Sequence, residues 1–108
     1  MTKFKLVPLV LFGGVLMPQS AEAQSADPAA GRDLAERVCI VCHQVGAAPS
    51  PFGPPSAPSF IDISQMPSTT ELAIKVFLRT SHQKMPNIIL SEEEIDSVAA
   101  YIVSLAKQ

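Results

Sequence analysis

"CIVCH", residues 39–43, contains both cysteines of the 108-residue chain and one of its two histidines. On a helix, positions i, i+3 and i+4 share one face, so Cys39, Cys42 and His43 are expected to project toward a single object where the first helix ends. Four objects suit two thiols and an imidazole. A redox dithiol of thioredoxin type expects a βαβ setting, and no convincing strand alternation is present to supply one. Zinc wants four ligands, and the only further imidazole is His82. A disulfide between such near neighbours closes a tiny loop, constrains the unfolded chain little and leaves His43 unexplained. Covalent haem attachment uses all three side chains: each thiol adds across one porphyrin vinyl group, and His43 stands over the iron.

The sequence before the motif reads as an export signal. Lys3 and Lys5 precede an apolar run from Leu6 to Met17, and Ala21 and Ala23 flank Glu22 as small residues at a cleavage site. Cleavage is expected after Ala23, making residues 1–23 a signal peptide and 24–108 the domain. The apolar run is shorter than the roughly 20 residues that a membrane-spanning helix needs, so no span is expected once the signal is removed. Beyond residue 23 stand six Lys and Arg against nine Asp and Glu, a formal charge of -3. With no polybasic stretch in the chain, nucleic acid is not an expected partner. A domain this small usually needs a disulfide, a metal or another staple. Its aromatic residues are only Phe52, Phe60, Phe77 and Tyr101, with no Trp. A large apolar macrocycle would fill the core that such a sequence leaves thin.

Periodicity predicts three helices. Asp27 suits an N-cap and Pro28 a first helical position, and Gly31, Leu34, Ala35, Val38 and Cys42 follow at helical spacing. Residues 44–60, "QVGAAPSPFGPPSAPSF", carry too much Pro, Gly and Ser for helix or ladder and read as an ordered loop wrapped on something. "STTE", residues 68–71, has capping-box spacing and opens the second helix, where Glu71, Lys75 and Arg79 form one stripe expected to face water. "SEEE", residues 91–94, opens the third, with Ile95, Val98, Ala99, Ile102 and Ala106 along one side. The fold class is therefore all-α: three main helices and a Pro-rich loop around one haem.

Whether the iron is open or closed decides what it does. Outside the leader, Met66, His82 and Met85 are the side chains able to supply a second axial ligand. Met66 precedes a capping box, where it suits packing at a helix entrance, and His82 sits where a helix ends, near its last carbonyls. Met85 lies between two helices with Pro86 stiffening the turn, and a thioether there would favour the reduced iron.

The chain resembles the class I cytochromes c across essentially all of residues 24–108. The resemblance is carried by Gly31 eight positions before Cys39, by "CIVCH", by "APSF" at 57–60, by "MPN" at 85–87 and by "AAYIVSL" at 99–105. It implies one covalent haem c with His43 and Met85 as axial ligands, and a hydrogen bond from His43 to the carbonyl of Pro58. It further implies first and last helices that cross closely, with Gly31 admitting Tyr101. Ala35 departs from the family, which usually has an aromatic residue there, and "APSF" replaces the more usual Gly-Pro-x-Leu. The implied function is one-electron transfer in the periplasm, not catalysis, between redox proteins such as a dehydrogenase donor and an oxidase or reductase acceptor. Lys84, Lys75 and Arg79 offer a basic rim for such partners. The rival is a sensor of small ligands or a weak peroxidase, in which the axial Met is displaced.

Overall fold

The computed structural model describes residues 2–18, 26–80 and 84–108. The expected cleavage site at Ala23 and the candidate ligand His82 lie outside them. Residues 2–18 form no regular element and are exposed throughout. Among the described residues the elements are four helices: α1 (Pro28–Val38), α2 (Phe60–Gln65), α3 (Glu71–Arg79) and α4 (Glu92–Leu105), with a 3-10 turn at Cys39–Val41 and no strand. No helix among the described residues is long and apolar enough to cross a membrane.

α1 starts where its sequence says it should. Asp27 accepts a hydrogen bond from Ala29 N at 2.9 Å, and Pro28 occupies the first turn, where its missing N–H costs nothing. α4 carries a complete capping box between Ser91 and Glu94, with Glu92, Glu93 and Glu94 in its first turn at the positive end of the helix dipole.

These two helices pack most closely, and Gly31 explains how. A Cβ at this position would overlap the Ser97 carbonyl and lie 2.9 Å from Val98 N. The glycine therefore admits the backbone of α4 at Ser97–Val98, one turn before Tyr101. The Asp27 N–H donates to Ser97 Oγ at 3.2 Å, tying the start of α1 to the same turn. Leu34, Ala35, Val98, Ala99, Tyr101, Ile102 and Leu105 form the shared core, in which Ala35 is fully buried.

Three local expectations give way. The motif is not the tail of a continuous α-helix: α1 stops at Val38, and Cys39–Val41 winds tighter. The adjacent β-branched Ile40 and Val41 are poor α-helix formers, although His43 N still reaches Cys39 O at 2.9 Å. α2 is additional, since the Pro-rich segment ends in a helix capped by Ser59, whose hydroxyl accepts from Asp62 N at 3.0 Å. The cap of α3 is Thr70, accepting from Ala73 N, and not Ser68. The cause is Thr69, whose hydroxyl donates to Ile63 O at 2.6 Å and whose N–H bonds Met66 O, so that the turn after α2 consumes these residues.

The stripe Glu71, Lys75, Arg79 also turns out to face α4, not open water. Lys75 Nζ lies 3.1 Å from both Glu71 and Asp96, and Arg79 pairs with Glu92. Ile74 of the same face is buried. The opposite face of α3 carries Leu72, Val76 and Phe77, each more than half exposed.

Candidate haem site

The haem-attachment motif is positioned by a strap. Cys42 O accepts from Ala57 N at 3.1 Å and Gln44 O accepts from Phe60 N at 2.9 Å, so residues 57–60 run along 42–44. Ser50 Oγ donates to Ile40 O at 3.1 Å, holding the intervening loop to the motif. Gly53, at φ +93°, supplies the left-handed residue that its turn requires. The segment expected to be an ordered loop is thus pinned at three points around the motif.

Between the two backbone bonds, His43 Nδ1 lies 2.6 Å from Pro58 O. A carbonyl only accepts, so Nδ1 carries the proton, and in the neutral ring the lone pair is the one on Nε2. That is the tautomer needed for coordination through Nε2. The buried ring of Phe60 stands beside the imidazole, with centroids 5.2 Å apart and planes inclined at 54°. Tyr101 lies behind Phe60 at 6.3 Å and 58°, and its hydroxyl donates to Val45 O at 2.5 Å.

Cys39 and Cys42 are half-buried and not joined in a disulfide. Burial pushes the Cys39 thiol up to about 11. Among the described residues no group of three or more His, Cys, Asp or Glu is arranged to hold a metal ion. Met85 is half-buried between α3 and α4, next to exposed Lys84 and Pro86.

The surroundings fit a flat apolar group. Of the large apolar side chains exposed after residue 26, Val41, Phe52, Met66, Leu72, Val76, Phe77 and Ile89 all come from the motif, the Pro-rich loop, the end of α2, α3 and the Met85 segment. None comes from α1 or α4. Among the described residues α3 packs on one helix, α4, and a flat apolar group could cover Leu72 and Val76 on its other side. When bound, haem supplies reversible one-electron chemistry at its iron. Cys39 and Cys42 would tether it, the strap would orient His43, and the exposed apolar residues would cover it.

An all-α fold built on a close α1–α4 crossing, with a strapped CxxCH motif at the end of α1, defines a small c-type cytochrome. Residues 26–102 match the family model described as "Cytochrome C oxidase, cbb3-type, subunit III", and the chain belongs to this cytochrome c family as a small bacterial mono-haem member of class I with covalently bound haem c. It is 38% identical to "Cytochrome c-552" of Bradyrhizobium diazoefficiens over 86 residues, covering 80% of this chain and 82% of that protein. No solved structure matches. Membership makes the protein a haem-based electron carrier.

Sequence reasoning singled out Cys39, Cys42, His43, Pro58 and Met85. The structure brings His43 and Pro58 into contact and strings both cysteines along the same turn. Phe60, Tyr101 and the Val45 carbonyl were not singled out around His43. The available signal was the aromatic residue two places after Pro58, where the family usually has Leu.

Proposed function

We propose that the protein is an exported, periplasmic one-electron carrier whose haem iron is closed by His43 on one side and Met85 on the other. Cys39 and Cys42 hold the ring as thioethers. The observation that carries this reading is the 2.6 Å contact between His43 Nδ1 and Pro58 O, which directs the free lone pair of Nε2 away from the strap. Met85 is the accompanying ligand because it is half-buried in a short segment braced by Pro86, whereas Met66 caps the end of α2 and is 45% exposed. A neutral, soft thioether opposite an imidazole favours ferrous iron and limits reaction with small molecules. Export rests on the leader, residues 1–23, with its paired lysines and apolar run.

The partners are redox proteins, a dehydrogenase as donor and an oxidase or reductase as acceptor. Docking is brief and weakly steered by charge. Lys75 and Arg79 are committed to acids on α3 and α4, which leaves Lys84 alone of the basic rim. The apolar residues Phe52 and Ile89, exposed near the motif and Met85, suit small, uncharged contacts.

The absorption spectrum of the oxidised protein tests the ligand pair. Wild type is expected to show the weak far-red band of sulfur bound to ferric iron, and Met85→Ala to lose it. Persistence of the band in Met85→Ala transfers the ligand to Met66, and binding of carbon monoxide to the reduced wild type at neutral pH would show an iron open to small ligands.

A further inference from the structure

We propose that Phe60, braced by Tyr101, is a positioning residue that sets the plane of the His43 imidazole. The inference rests on the reading of His43 as an axial ligand and adds to it a second restraint besides the Pro58 carbonyl.

A single hydrogen bond from Nδ1 fixes the tautomer and one direction of the ring, but the imidazole can still swing about that contact. Phe60 limits the swing. Its ring is 3% exposed and meets the imidazole at a centroid distance of 5.2 Å and an inclination of 54°. That is a tilted pair at a separation where two aromatic rings attract each other.

Phe60 cannot itself yield easily. Its backbone N–H is bonded to Gln44 O at 2.9 Å, one residue beyond the histidine it faces. Tyr101 stands behind it at 6.3 Å and 58°, and the Tyr101 hydroxyl is held by Val45 O. Strap, phenyl ring and phenol thus form one wall anchored on both sides to residues 44–45. An aliphatic side chain of similar volume would fill the space but would present no planar face to either neighbour.

The orientation of an axial imidazole controls the splitting of the ferric iron d orbitals, which electron paramagnetic resonance reads directly. Phe60→Leu in the haem-loaded protein is expected to shift the g values and broaden the low-spin signal. The paramagnetic shifts of the haem methyl protons should be redistributed in the same variant. Tyr101→Leu, which removes the brace, is expected to produce a smaller change in the same direction, and Tyr101→Phe, which keeps the ring but loses its anchor on Val45, a smaller one still. Ile102→Val serves as a packing control, since Ile102 belongs to the same buried core. It is expected to lower the melting temperature without moving the g values.

The inference is overturned if Phe60→Leu and Tyr101→Leu melt earlier but keep wild-type g values and methyl shifts, or if Ile102→Val shifts them equally. Should Phe60→Leu fail to accumulate with haem, Tyr101→Leu decides alone on the same readouts. A wild-type protein lacking the low-spin signal of imidazole opposite thioether would instead break the ligand reading on which the inference stands.

Discussion

The α1–α4 pair and the segment from Cys39 to Phe60 are held together by different means. The helices meet through matched apolar faces, with Gly31 letting the backbones touch and Ala35 and Val98 closing the core behind it. The segment has little core of its own: it is strung on hydrogen bonds from Ala57, Phe60, Ser50 and His43, with Val41 and Phe52 left outside. Burial is non-directional and supports the protein alone, whereas a hydrogen-bonded strap fixes direction but contributes little net free energy. The first region keeps the molecule folded. The second aims a side chain and leaves Val41 and Phe52 for a bound group to cover.

The sharpest way to break this contrast is to prevent haem attachment. In the Cys39→Ala/Cys42→Ala double variant, amide exchange is expected to stay slow in α1 and α4, while protection in residues 41–60 and on α3 is largely lost. Uniform loss of protection would mean that the helix pair does not stand on its own.

Next in size is Gly31→Ala. A methyl group in the Ser97 backbone cannot be accommodated by a side-chain shift, and about 3 kcal/mol of stability should be lost in denaturant titration. A loss below about 0.5 kcal/mol would show that the helices separate cheaply.

The smallest effect belongs to the edge between α3 and α4. Hydrogen bonding to Arg79 holds the Glu92 carboxyl below its ordinary value of 4.5. Its folded pKa is depressed, so its stabilising contribution is present above about pH 4.5 and is lost as pH falls through the folded value. Glu92→Gln should melt slightly earlier than wild type at pH 7 and at the same temperature once the carboxylate is protonated. Since both side chains are exposed, the gap should also shrink with added salt. A gap that is independent of pH would assign the effect to packing.

Much of this architecture is legible in the residues because local chemistry and tertiary contact agree. Asp27–Pro28 and Ser91–Glu94 start the helices that they precede, and the apolar stripe of α4 points where its period says from Ile95 to Ile102, while Ala106 is exposed at the C-cap. Where two local signals competed, only the tertiary contact decided. Ser68 and Thr70 both precede α3, and Thr69 settles the matter by bonding back to Ile63. The signal for α2 was present in Ser59 and Asp62 but sat inside a segment dominated by proline. The direction of the Glu71–Lys75–Arg79 stripe was not legible, because a charged stripe faces water or a charged neighbour with equal ease and only Asp96 and Glu92 distinguish the two. At the site, the motif names the tethers and the imidazole by itself. The aromatic wall behind His43 depends on residues 43, 60 and 101 meeting in space, which no local pattern announces.

The contact between Pro58 and His43 has a consequence for how the metal centre is made. Because the strap holds hydrogen on the far nitrogen of the ring, the nitrogen left to face a metal is the one turned away from the strap. The fold has chosen which nitrogen is offered, so ligation at this residue becomes a matter of approach and angle.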